Sequence, residues 1–166
     1  MRSIRISRQA SLRALAMAGL AAAAMAASVV AASAGECPAD KIAAGAMKPG
    51  ATAPDGVTDT VLSSIDLAKE AVKLNDRQLR LRRLEVQPGG VVPWHGHDDR
   101  PALIYVVQGT ITEYSSNCSV PIEHAAGEAA MESAGLSHWW KNNGKTPAVL
   151  LSADILHMKA DDGQMM

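Results

Sequence analysis

The chain has 166 residues, 48% of them hydrophobic and 20% charged, with 13 Gly, 8 Pro and only 3% aromatics. That composition fits one globular domain and excludes a fibrous, disordered or many-domain protein. The net charge of −1 hides an asymmetry, because Arg2, Arg5, Arg8 and Arg13 stand in the first 34 residues and every Asp and Glu comes later. Beyond residue 34, 12 Lys and Arg face 17 Asp and Glu, a net charge of about −5. Nucleic acid is therefore excluded as a partner, since phosphate neutralisation requires a basic surface.

The four arginines precede an apolar run from Leu15 to Val30, which ends in Ala32-Ser33-Ala34, the small-x-small pattern cut by signal peptidases. Residues 1–34 read as a secretory signal peptide, with Gly35 the first mature residue. The apolar core is shorter than the ~20 residues that span a bilayer. An uncleaved anchor is the alternative; after cleavage no stable membrane insertion is expected, and the protein is placed in the periplasm or outside the cell. Export changes how the two cysteines read, because disulfides persist outside the reducing cytosol. A Cys37–Cys118 bridge would close a loop of 81 residues and tie down the N-terminus. Two free thiols are the alternative, and no CxxC spacing exists.

Residues 35–56 carry Pro38, Gly45, Pro49, Gly50, Pro54 and Gly56, a density of breakers that predicts an extended arm. From Val57 the chain shows short β-branched or alternating segments: Val61 to Leu67, Leu79 to Val86, Leu103 to Val107, Ile111 to Tyr114, His138 to Lys141 and Ala148 to Ile155. Pro88-Gly89-Gly90, Gln108-Gly109, Ala134-Gly135 and Asn142-Asn143-Gly144 supply the turns between them. Only Leu67 to Asn75 has room for a helical turn. Leu79 and Leu81 alternate with Arg80 and Arg82, which reads as a half-buried strand with a basic outer face. The pattern predicts an all-β barrel or sandwich over residues 57–158, with a C-terminal tail at 159–166.

The chemistry is concentrated in Pro93-Trp94-His95-Gly96-His97-Asp98-Asp99-Arg100. Two histidines two apart on a strand share a face, so His95 and His97 can converge on one ion. Alone the pair is as consistent with ordinary surface or core histidines.

The wider pattern resembles the cupin superfamily. The family's first motif is matched by Gly89, five residues, His95-Gly96-His97, four residues, Ala102 where Glu is expected, six residues and Gly109. The second is matched by Gly127, Ser133-Ala134-Gly135, His138 and Asn142, with Ser133 in place of Pro. The resemblance covers about residues 78–156 and implies a small antiparallel, jelly-roll-like β-barrel holding one divalent transition metal, iron first and manganese, nickel, copper or zinc as alternatives. It gives His95, His97 and His138 as the ligands. With Ala102 in the fourth position, either a three-histidine site or a decayed one is expected. Asp98, Asp99 and Glu113 are the candidates to replace the missing carboxylate.

Cupins with three-histidine iron sites include thiol dioxygenases and diketone-cleaving dioxygenases, so the resemblance implies a dioxygenase-like oxidoreductase acting on a small, possibly anionic molecule. A non-catalytic module that binds a small ligand or metal is the second reading, and a metal-dependent isomerase or hydrolase the third. Arg100, held extended by Pro101, is placed to reach a carboxylate-bearing ligand, unless it pairs on the surface with Asp98 or Asp99. Strand alternation sends Trp140 inward with His138 and Trp139 outward, so Trp140 is the candidate pocket wall. His124 and His157 read as solvated. Pairing of two barrels into a homodimer is a further expectation.

Overall fold

The computed structural model describes residues 35–158; the expected signal peptide at 1–34 and the expected tail at 159–166 lie outside the described residues. A 3-10 turn, Ala39–Lys41, precedes eight strands: β1 Asp55–Asp66, β2 Arg77–Gly96, β3 Ala102–Gln108, β4 Thr110–Ser115, β5 Ile122–Ala125, β6 Ala129–Glu132, β7 Ser137–Lys141 and β8 Ala148–His157. All pairings are antiparallel, in the order β5-β4-β7-β2-β8-β3-β6 with β1 on β2. The result is a nearly closed barrel of jelly-roll type.

The 20-residue β2 is the hinge of the architecture, pairing β8 through Arg77 to Val86 and β7 through Val91 to Gly96. It passes from one layer to the other at Pro88-Gly89-Gly90. Glycine is required there: a Cβ on Gly90 would lie 2.8 Å from the Gln87 carbonyl oxygen and 2.9 Å from that of Gly56. The second-motif Asn142 secures the same bend, donating from Nδ2 to the carbonyls of Val86 and Thr146 at 2.8 Å each. Leu84, Val86, Val92, Ile104, Val106, Ile111, Trp140, Ala148 and Leu150 form the core.

Sequence patterning failed in three places. Leu67 to Asn75 forms turns and no helix. Strands β5 and β6 carry little β signal in the sequence, since each is only four residues long and β6 is Ala-Ala-Met-Glu. The phase of Leu79 to Arg83 is inverted: Arg80 and Arg82 are buried at 2% and 5% exposure, and Leu79 and Leu81 face outward at 36% and 37%. The supposed basic outer face is an ionic layer inside the barrel. Arg80 donates to both oxygens of Asp154 at 3.1 and 2.9 Å, and Arg82 binds Asp59 at 2.5 Å and Ser152 at 3.1 Å. Partners on β1 and β8 make this inversion possible, since an unpaired buried guanidinium would be prohibitively costly.

The arm is held on the barrel. Cys37 and Cys118 form a disulfide, Ile42 bridges Cys118, and Gly50 lies flat on Trp139, which stacks at 4.1 Å on Tyr114 on the outer surface.

Candidate metal centre

His95 and His138 face each other across the β2–β7 pair, and His97 follows two residues after His95 on the same side. The fourth member, which sequence reasoning missed, is Glu132 at the end of β6. One nitrogen from each of His95, His97 and His138 and one Glu132 oxygen lie within 4.8 Å of one another. Glu132 sits 3.4 Å from His97 Nε2 and 3.2 Å from His138 Nε2, and those two nitrogens are 3.0 Å apart.

The origin of Glu132 lies in the β3–β6 register, which pairs Ala102 directly with Glu132. Both side chains are buried, at 6% and 3% exposure. Directly opposed residues have Cβ atoms about 5 Å apart. The carboxylate that the first motif places at 102 is therefore supplied from the neighbouring strand. This corrects the expectation of a three-histidine or decayed site. It also removes the three proposed substitutes. Asp98 accepts from the Gly135 amide at 2.8 Å, Asp99 pairs with Arg77 at 2.7 Å, and Glu113 lies behind His138 rather than among the ligand atoms. A signal was present in the sequence, an acidic residue ending the Gly127 to Ser133 interval, but it needs the register to be read.

The outer nitrogens of the imidazoles are all engaged. His95 Nδ1 meets the Pro93 carbonyl at 2.8 Å, His97 Nδ1 the Arg100 carbonyl at 2.8 Å, and His138 Nδ1 the Glu113 carboxylate at 2.7 Å. These acceptors place the proton on Nδ1 and aim the Nε2 lone pairs inward. Three inward lone pairs and a buried carboxylate repel one another unless a cation or proton lies among them, so the donor set fits a divalent metal.

Without metal the cluster holds a proton instead. Burial opposes charge on His138, but its hydrogen bonds to the Glu113 and Glu132 carboxylates outweigh it and raise its pKa to about 9. Burial and the charge of His138 lower His95 to about 3. Glu113 is desolvated, yet hydrogen bonds from His124 and His138 hold it down to about 2. His124 is buried, not solvated, because Glu113 accepts from its Nε2 at 2.9 Å. His157 is half-buried between Asp76 and Asp99, at 3.0 and 2.6 Å.

Beside the cluster is a cavity of about 20 Å³ lined by Arg82, Val92, His95, Ile104, Glu132 and Trp140, room for about one water. Trp140 is 3% exposed and forms part of this wall. Arg100 does not pair with Asp98 or Asp99. It turns inward to 3.9 Å from Asp154, and its Nη1, like Arg82 Nε, is buried without a hydrogen-bond partner. Burial and the neighbouring Arg82 charge lower the Arg100 pKa.

The family described as "Cupin domain" matches residues 82–154, which contain all four members of the cluster. Nectarin-1 of Nicotiana plumbaginifolia is 34% identical over 83 residues, 48% of this chain and 36% of its own length. Germin-like protein 5-1 of Oryza sativa subsp. japonica is 31% identical over 107 residues, 61% of this chain and 48% of its own. The auxin-binding protein ABP19b of Prunus persica is 37% identical over 79 residues, 46% of this chain and 38% of its own. The chain thus spans half or less of the length of these relatives. Among solved structures, a predicted oxalate decarboxylase from Thermotoga maritima aligns over 69% of this chain and 97% of its own, with a TM-score of 0.50 and 22% identity, a likeness of fold. The barrel, both histidine motifs and the family match agree, and the chain belongs to the cupin superfamily.

Proposed function

We propose that the protein is an exported metal-dependent oxidoreductase of dioxygenase type that acts on a small anion. The observation that carries this is the inward convergence of three Nε2 atoms on the Glu132 carboxylate, with every Nδ1 engaged outside. His95, His97, His138 and Glu132 would hold the ion, with iron or manganese suited to mixed imidazole and carboxylate donors. When bound, such a metal supplies Lewis acidity and one-electron redox chemistry.

The chain's own groups would select the ligand. In the ionic layer two guanidinium N–H groups, Arg82 Nε and Arg100 Nη1, are buried without a hydrogen-bond partner. A small anion would satisfy those donors. Leu84, Val92, Ile104 and Trp140 line the same cavity as Arg82. The second reading, a module that binds without turnover, is favoured by the small cavity and by a relative named as an auxin-binding protein. A direct test is to load the chain with iron(II) or manganese(II) and follow dioxygen consumption with formate, glycolate or oxalate. Consumption that needs both metal and acid supports the oxidoreductase. Saturable binding without consumption supports the binding module. The disulfide accords with export.

We also propose a homodimer through the outer face of β1, β2, β8, β3 and β6. Register lines up Ile65, Leu79 and Ile155, then Leu81, Ala153, Leu103 and Met131. Leu103 is 60% and Met131 73% exposed. Five of these side chains, Ile65, Leu79, Leu81, Leu103 and Met131, are 36–73% exposed; at about 50 Å² each they offer roughly 250 Å² of apolar surface toward the ~800 Å² per partner of a standard interface.

A further inference from the structure

The polar chain behind His138 runs outward through Glu113 to His124 and ends on a buried atom with no partner, His124 Nδ1. Since Glu113 accepts from Nε2, Nδ1 is a bare acceptor. Gly35 covers it. A Cβ on Gly35 would sit 3.1 Å from Nδ1 and 3.4 Å from a Glu128 carboxylate oxygen, and its φ is +87°. Only glycine lets the backbone approach so closely in that conformation. Its place is fixed from two residues further along, where Cys37 is bonded to Cys118. Two residues of chain span at most about 7 Å, so the disulfide limits how far Gly35 can move from Cys37.

We propose that the α-amino group of Gly35, freed by cleavage after Ala34, docks as a cation between His124 Nδ1 and the Glu128 carboxylate and completes the polar chain behind His138. Hydrolysis adds one water across the Ala34–Gly35 peptide bond. Ala34 departs as a carboxylate, and the Gly35 nitrogen gains a hydrogen from water and a further proton at neutral pH. A backbone amide with one N–H becomes an ammonium with three donors. These suffice for Nδ1 and for Glu128, whose Oε2 already accepts from the Ala125 amide at 2.8 Å. Glu113, bonded to the other nitrogen of His124, and Glu36, next in the chain, are carboxylates that also favour a cation there. Export processing would thereby finish a structural feature that reaches the candidate metal centre.

The inference depends on the cleavage site expected from Ala32-Ser33-Ala34 and not on the metal or the reaction. Its test is to export the full chain with labelled glycine, read the N-terminus by intact mass, and titrate the Gly35 amine by NMR. The expected result is a chain beginning at Gly35 whose amine titrates above the ordinary ~7.7–8.0, and falls back in Glu128→Gln, a half-buried position. A chain beginning elsewhere overturns the cleavage premise. A chain beginning at Gly35 whose amine titrates at the ordinary value, unchanged by Glu128→Gln, overturns the docking.

Discussion

Moving the carboxylate back across the β3–β6 pair tests how this site is built. Glu132→Ala removes the one anionic donor and leaves His95, His97 and His138 as neutral ligands to a dication. Removing one member of a buried charge pair costs about 3–5 kcal/mol. At 1.4 kcal/mol per decade this becomes a loss of roughly 10²- to 4 × 10³-fold in affinity for manganese(II) or iron(II). Ala102→Glu in the same background places a carboxylate directly opposite the vacated position, about 5 Å away at Cβ. It should restore at least about tenfold of that loss, a modest fraction because Ala102 packs at 6% exposure and a larger side chain must displace its neighbours. Isothermal titration of the metal into the parent, the single variant and the double variant gives the three affinities. Equal affinity in parent and Glu132→Ala would refute the assignment of Glu132. Full loss in Glu132→Ala without any recovery in the double variant would refute the cross-strand explanation.

Other outcomes follow from the same geometry. In the metal-free chain, His138 raised to about 9 contributes stability that is complete below its unfolded value near 6.5 and disappears as pH rises through 9. Glu113, held at about 2, contributes stability present above 4.5 that disappears as pH falls through 2. The two shifts describe one shared interaction, so denaturant midpoints should be highest between about pH 4.5 and 6.5 in this respect. A flat profile from pH 5 to 10 would contradict it. Reducing the Cys37–Cys118 disulfide, which closes 81 residues, should lower stability by about 4 kcal/mol in equilibrium unfolding; a loss under about 1 kcal/mol would show that the arm is held by its other contacts. Leu103→Glu should convert a dimer to a monomer in sedimentation measurements while leaving metal content unchanged. A parent chain that is monomeric at high micromolar concentration would dispose of the proposed interface.

How much of this was legible in the sequence depended on whether a feature was local. The turns, most strands and the His95-x-His97 and His138 motifs rest on short-range spacing, and the structure brings those histidines together. The inward Trp140 and outward Trp139 followed from simple alternation. Glu132 was invisible because its meaning depends on its register with Ala102, 30 residues away. Leu-Arg alternation from Leu79 to Arg82 fits either phase, and the usual preference for burying Leu selects the wrong one. Asp154, 74 residues from Arg80, decides the matter by neutralising a guanidinium inside the barrel. His124 was misread for the same reason, since Glu113 on the adjacent β4 strand is what allows an imidazole to be buried.

The account stands on a metal held by His95, His97, His138 and Glu132, and metal content per chain tests it most directly. The chain is exchanged against iron, manganese, nickel, copper and zinc, and bound metal is counted by mass spectrometry beside His97→Ala and His138→Ala. The account predicts about one equivalent per chain in the parent and none in either variant. A parent chain that retains no metal, or variants that retain as much as the parent, would contradict it.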